Sequence, residues 1–486
     1  MSSRPSKYGE SFSEWFSWII KEAEIYDYGR YPVKGVGVWM PYGFKLRKNV
    51  IELIRSLLDE TGHEEILLPL LIPETLFRKE SEHVRGFEGE VFWVTRAGFN
   101  ELDVKLVLRP TSETALSYME SLWIKSYKQL PKKYYQIVSI FRYETKMTKP
   151  MLRVREVTTF KEAHTVHEDF ADAERQVLEA VEIYRKFFDT LGIPYLISRR
   201  PQWDKFAGAL YTIAFDTLLP DGRALQIGTV HNLGQNFTAV FEVRIQKKDE
   251  SLDYAWQTSY GISERVIATI IAFHSDDRGL VLPPIVAPYQ VVVVPIPSGD
   301  ESTWSKVLEV ARAIHQELRS SGVRSYLDDR VDMRPAEKYF EWELKGVPIR
   351  IEIGARELEK NIVTLFRRDE MKREVVERDR VVDRVRELMK EIGDKLRERA
   401  WRWFREHVKN FEKLEDALNF VRNGGGIAQV PWCGDDRCAA KVVDEAEGVA
   451  VLGCPLESIE KVEVFAPRCA ICGAPATSIA RIARRY

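Results

Sequence analysis

The stretch FRYETKMTKPMLRVREVTTFKEAHT, residues 141–165, decides how this chain is read. A run beginning at Gln136 and carrying Ile137, Val138, Ile140 and Phe141 leads into it. In a strand, residues two apart point the same way, so Arg142 and Glu144 are expected to project together from one face of a mostly apolar strand. The loop TKMTKP follows, and a second run carrying Arg153 and Arg155 returns. Such a hairpin would bring Arg142 and Arg153 together, two guanidinium forks that suit phosphate oxygens. A lone Arg-x-Glu is ordinarily a cross-strand ion pair or an edge-strand charge device, so the meaning of this one depends on what surrounds it.

Outward from the hairpin, length and composition set limits. At 486 residues the chain is too long for one core, and about three domains are expected. A hydrophobic content of 45% with 30% charged residues describes a globular chain and excludes a disordered one. No 18-residue apolar run appears and MSSRPSKYGESFSEWF lacks an apolar signal core, so the cytoplasm is the expected compartment. Lys plus Arg, 72, nearly balances Asp plus Glu, 74, so a polyanion would need a local basic surface. Five cysteines do not make a disulfide framework in so long a chain.

No internal repeat or low-complexity tract is present. Residues 43–60 place Leu46, Val50, Leu53, Ile54 and Leu57 on one helical stripe. Gly62 then stops the helix, and EEILLPLL reads as a strand broken at Pro69. Further strands are expected at 104–108, 134–143, 153–160, 210–216 and 237–243, giving a helix-flanked, largely antiparallel sheet. A boundary falls at LVLPPIVAPYQ, residues 280–290, where three prolines resist helix and interior strand. Strand YQVVVVPI, helix 302–320, strand VRSYLDD, helix 335–345 and strands PIRIEIG and NIVTLFRR then predict a small α/β domain with a mostly parallel sheet. From 376 to 410, Val381, Val385, Leu388, Ile392, Leu396 and Trp403 mark an amphipathic helix whose charges form a solvated face. The expected domains are 1–283, 284–397 and 398–486.

The hairpin resembles motif 2 of the class II aminoacyl-tRNA synthetases, and two companions stand in order beside it. The helix ending in GHEEILLPLL resembles motif 1, which in that family builds a dimer interface and closes at a proline, here Pro69. SYGISERVIATIIA, residues 259–272, resembles motif 3, with Gly261 and Arg265 opening an apolar helix. Three motifs in sequence are far more specific than any one.

Within the class, RPTSETAL, residues 109–116, resembles the Thr-x-Glu element of the prolyl-tRNA synthetases. On residue chemistry alone, Thr111 could cap a helix and Glu113 could sit in its first turn, where a carboxylate is stabilised. KEAHT (161–165), WDKFAGALYT (203–212) and ALQIGTVHNLGQNF (224–237) also resemble that family, whereas by themselves His164 and His231 would be hydrogen-bonded core or surface histidines and Phe206 a core residue. The motif 2 to motif 3 region lacks a long inserted editing domain, a cysteine-bearing tail follows, and the chain ends in RIARRY, all similar to the archaeal and eukaryotic-like branch. One departure is the spacing: family members place the returning arginine four residues before an aromatic, whereas Arg155 to Phe160 is five, an excess that a bulge would absorb.

The resemblance implies a class II catalytic sheet, an anticodon-binding α/β domain and a small zinc-containing α+β C-terminal domain. It implies a proline-tRNA ligase that takes ATP with Mg²⁺, proline and proline tRNA, and that is a homodimer. Arg142 would hold the α-phosphate and the substrate carboxylate, Glu144 the adenine amine, Arg153 and Arg265 the distal phosphate, and Gln226 and Thr229 the ribose. Thr111 and Glu113 would take the imino group, with Glu162, His164, Phe206 and His231 shaping the proline pocket. Asp329, Arg330 and Glu341 lie in the most family-like part of the α/β domain without an assignable anticodon contact. A synthetase-like paralogue that binds RNA without ligating is the rival; its mark would be a broken Arg142, Arg153 or Arg265, and all three are present. Cys433 and Cys438, with Cys469 and Cys472 about thirty residues on, can supply four thiolates to a tetrahedral structural Zn²⁺. Cys454 is expected to be a small buried residue.

Overall fold

The computed structural model describes residues 5–8, 11–80, 89–461 and 463–486; part of the opening stretch read for a signal lies outside them. Its centre is an 11-stranded sheet. In spatial order the strands are Val408–Asn410, Ile427–Trp432, Ser478–Arg484, Val449–Pro455, Leu196–Arg199, Tyr211–Leu218, Ala224–Gly234, Trp256–Ile262, Glu156–His167, Lys132–Phe141 and Glu64–Glu65. Only the two outermost pairings are parallel. The first four strands come from the cysteine-bearing tail, and the other seven join them where Cys454 pairs with Arg199 and Pro455 with Ser198.

One face of this sheet is closed by the helices Phe170–Leu191 and Arg265–His274. The first begins because Asp169 accepts a hydrogen bond from Asp172 N, and it buries a stripe including Val177, Tyr184, Phe187 and Phe188 against Phe215, Ile227 and Tyr260. Each fully buried Phe there stabilises the layer by about 1.5–3 kcal/mol. The helix stops at Gly192, φ 67°, where a Cβ would also lie 3.2 Å from Arg397 Cα on the long helix Val381–Glu406.

Several expectations are corrected. Residues 237–243 are not a strand; Asn236–Phe241 is a helix that turns Phe237, Thr238 and Phe241 inward, a short apolar run whose periodicity could not separate the two. The strand in EEILLPLL shrinks to Glu64–Glu65, and Leu71–Pro73 pairs in a different sheet, because Pro69 has no N–H for a ladder. The strand bearing the Arg-x-Glu ends at Phe141: Glu144 N donates to Arg142 O, so the backbone folds and the alternation stops before the two side chains. Gly261 lies in the Trp256–Ile262 strand, and Arg265 alone opens the helix. Cys454 is half-buried.

The second sheet, Ser325–Leu327, Val291–Pro295, Ile349–Ile353, Ile362–Arg367 and Lys372–Glu377, is mixed, not mostly parallel. Its first three strands are parallel as expected from their helical crossovers, while the last two return as antiparallel neighbours. The long helix begins at Val381 and runs past residue 397 to Glu406, with Phe404 turned inward.

Candidate active site

The open face of the central sheet carries a cavity of about 400 Å³. The strands Lys132–Phe141 and Glu156–His167 frame one side. Their register runs from Val138 opposite Phe160 to Ile140 opposite Val157, so the returning strand holds one extra residue in a bulge. That bulge absorbs the anomalous spacing and delivers Phe160 to the cavity wall, with the Arg142 guanidinium 5.9 Å from its ring. Arg155 stacks on Tyr143 at 3.9 Å and donates to Glu144 O, so it serves the loop, while Arg153 lines the cavity.

Four guanidinium groups crowd this end. Arg142, held by Nε to Pro110 O at 3.2 Å, Arg153, Arg265 and Arg485 all line the cavity. Burial and the like charges of Arg142, Arg153 and Arg485 push Arg265 down to about 10. Its Nε donates to Leu152 O and its Nη1 to Gln226 O, which fixes the fork. Two carboxylates offset part of this charge: Asp204 pairs with Arg485 at 2.9 Å, and Glu144 Oε2 lies 3.3 Å from Arg153 Nε. Such an excess of fixed cations in a desolvated site is arranged for an anionic ligand.

The other end is built from the helix Glu113–Trp123 laid across the sheet. Ser112, not Thr111, stands at the cap position, and its hydroxyl donates to Glu162 instead of capping. Thr111 Oγ1 donates to Glu113 Oε2, and Ser259 Oγ donates to Glu113 Oε1 at 3.0 Å. The carboxylate of Glu113 is thereby held at the cavity wall in a buried setting. The rings of Phe206 and His231 also line the cavity, tilted by 35° with centroids 4.8 Å apart, and Thr212 Oγ1 lies 2.8 Å from His231 Nδ1. Burial, then the charge of His164, lowers His231 to about 3, so its imidazole is neutral.

Of the twelve side chains expected around the substrates, eleven line the cavity, including Gln226 and Thr229 on the Ala224–Gly234 strand. His164 is the exception: it is buried, two residues along the same strand from Glu162, with Nε2 3.5 Å from Glu162 Oε2. Burial opposes its charge, but Glu162, Glu113 and Glu120 prevail and raise its pKa. Glu162 is also pushed up by burial, yet His164 and the donors Ser112 and Gln136 keep it lowered. Arg485, Asp204 and Ser259 stand in the family-like stretches RIARRY, WDKFAGALYT and SYGISERVIATIIA, but no role was expected of them, and the fold brings all three to the cavity.

The second expected constellation also assembles. Cys433, Cys438, Cys469 and Cys472 place their sulfurs within 4.8 Å of one another, with 3.8 Å separations for Cys438–Cys469 and Cys472–Cys433. A tetrahedral ion with metal–sulfur bonds of about 2.3 Å needs sulfurs about 3.8 Å apart, so the donor set and spacing fit a structural Zn²⁺. All four are free thiols in this chain.

Residues 92–274 match the family described as the tRNA synthetase class II core domain (G, H, P, S and T), 290–388 the anticodon binding domain, and 414–486 the C-terminal region of prolyl-tRNA synthetase. The chain is 60% identical over 480 residues to a proline-tRNA ligase of Aeropyrum pernix, covering 99% of this chain and 98% of that one. It is 59% identical to the Metallosphaera sedula proline-tRNA ligase, covering 99% of each. A solved structure of Giardia lamblia prolyl-tRNA synthetase in complex with prolyl-adenylate superimposes with a TM-score of 0.95 at 35% identity, over 99% of this chain and 100% of that one.

Proposed function

The chain belongs to the class II prolyl-tRNA synthetases, and on that footing we infer how its cavity joins proline to ATP and then to tRNA. Its activity is that of a proline-tRNA ligase. The convergence of four guanidinium groups at one end of a cavity whose other end holds a fixed carboxylate carries the assignment of roles.

In the first step the proline carboxylate oxygen bonds to the α-phosphorus of ATP and the bond to pyrophosphate breaks. The two anions repel, so the chain must neutralise both before they meet. Arg142 holds the carboxylate and the α-phosphate; Arg153 and Arg265 hold the distal phosphate. Glu144 accepts from the adenine amine, and Gln226 and Thr229 meet the ribose. ATP enters with Mg²⁺ as its counter-ion. Thr111 and Glu113 hold the protonated imino group, and Glu162, His164, Phe206 and neutral His231 shape the proline pocket. In the second step a terminal ribose hydroxyl of proline tRNA attacks the acyl carbon and AMP leaves. No side chain becomes covalently attached; positioning and charge accomplish the reaction.

The division into 1–283 for catalysis, 284–397 for the anticodon and 398–486 for the zinc-bearing unit is part of this proposal, as is a cytoplasmic location, where thiolates stay reduced. Among the described residues no helix is long and apolar enough to cross a membrane. We assign the segment after the Pro41–Asp59 helix to a homodimer interface, because Leu67, Leu70 and Leu71 are 80%, 40% and 42% exposed side by side. Leu67→Glu is expected to weaken self-association by at least about tenfold; sedimentation that stays dimeric at every concentration would exclude this surface.

The direct test is exchange of labelled pyrophosphate into ATP with proline, alanine, cysteine, threonine or serine. Strong exchange with proline is expected; silence with every amino acid would favour the RNA-binding paralogue. Glu113→Gln, which keeps the shape but removes the charge that meets the imino cation, is expected to raise KM for proline about 10- to 100-fold with KM for ATP unchanged. An equal rise in both would remove Glu113 from the imino site.

A further inference from the structure

Arg200 is not among the residues lining the cavity, yet it is fully buried and reaches in three directions. Its fork grips Asp216, itself fully buried, through two bonds of 2.7 Å. Its Nη2 also donates to Gln226 Oε1 at 2.9 Å. Its Nη1 donates to Leu452 O at 2.5 Å, and Leu452 belongs to the C-terminal strand Val449–Pro455. Asp216 and Gln226 are themselves paired across the strands Tyr211–Leu218 and Ala224–Gly234, so the three groups stand at one place in the sheet.

A guanidinium only donates, so the atom of Gln226 facing it must be the carbonyl oxygen. Arg485, paired in two bonds with Asp204, adds a second donor to the same oxygen at 3.5 Å. With Oε1 turned toward two arginines, the amide NH₂ is the group left to face the cavity. A glutamine free to rotate would offer a ribose oxygen a donor and an acceptor by turns. This one offers a donor.

We propose that Arg200 is a positioning residue for nucleotide binding: it locks the Gln226 amide with its NH₂ toward the ribose, and it holds that position only while the C-terminal strand is docked on it. The inference rests on Gln226 meeting the nucleotide, as assigned above. It gives the cysteine-bearing unit a part in the first step of the reaction, through a backbone carbonyl more than 200 residues away in sequence from the side chain it steadies.

Pyrophosphate exchange on the full, metal-loaded chain tests this, with ATP and proline varied separately. Arg200→Lys keeps a cation beside Asp216, where an apolar residue would strand a buried carboxylate, but lacks the planar fork that spans three partners. It is expected to raise KM for ATP about tenfold and leave KM for proline unchanged. Gly453→Ala acts from outside the cavity: at φ 109° its new Cβ would lie 1.9 Å from Arg199 O and push Leu452 away. The same ATP-selective rise is expected. In a double-mutant cycle, Gln226→Ala and Arg200→Lys should be strongly non-additive on KM for ATP.

Several results would overturn the proposal. KM for both substrates rising together would make Arg200 merely structural. Additivity in the cycle would uncouple the two residues. If Gln226→Ala raises KM for ATP while Arg200→Lys and Gly453→Ala do not, only the positioning role falls. If Gln226→Ala leaves KM for ATP unchanged, the ribose assignment falls and takes the proposal with it.

Discussion

Arg142→Ala is expected to abolish proline-dependent pyrophosphate exchange, lowering kcat/KM by at least about 10³-fold. In the proposed assignment Arg142 meets both reacting groups. Its Nε is held by Pro110 O and its backbone N–H by Arg155 O, so the guanidinium is aimed before substrate arrives. Burial lowers its pKa, and Glu113, Glu162, Glu90 and Glu144 oppose that shift. Removing one preorganised donor to developing charge in a desolvated site costs about 2.7–4 kcal/mol. Arg142 would contact two anions, so its loss should exceed that range. Arg142→Lys keeps the charge but not the two-pronged geometry and is expected to recover only a small part of the activity. Activity in the alanine variant within about tenfold of native would place the adenylation step elsewhere.

Breaking the cysteine cluster is expected to have the second large effect, on structure first. Cys438 and Cys469 are buried among Val430, Trp432, Ala439 and Ile482, and the unit they close has a small core. Structural Zn²⁺ contributes about 10–16 kcal/mol at neutral pH, comparable to the whole stability of a domain. Cys438→Ser should therefore lower bound zinc from one per chain to a small fraction and make residues 414–486 susceptible to protease. Because the strand Val449–Pro455 continues the catalytic sheet, ATP binding should weaken as well. Native thermal stability in a variant that carries no metal would show the four thiols to be bystanders.

Much of this was legible before folding was considered, and the illegible part has a consistent cause. The helix of residues 41–59, the alternating strands of the second sheet and the apolar stripe of the long helix follow from periodicities of 3.6 and 2, which are local properties. The misassigned segment 237–243 was too short for its period to be resolved, and Ala224–Gly234 went unseen as a strand because it is buried on both faces and barely alternates. Arg142 and Glu144 both line the cavity, but not by the strand geometry expected of them. The strand stops at Phe141, and Glu144 Oε2 lies 3.3 Å from Arg153 Nε.

What the sequence by itself determined was the inventory: which arginines, carboxylates and thiols exist, at what spacing, and which family's motifs they compose. The tertiary structure alone decided who meets whom across long separations. Ser259 steadies Glu113, Arg485 joins the cluster of cavity arginines, the four cysteines close to tetrahedral spacing, and Leu452 reaches Arg200. Local propensity acts over a few residues, whereas these contacts are set by strand order and register in one sheet that joins both ends of the chain.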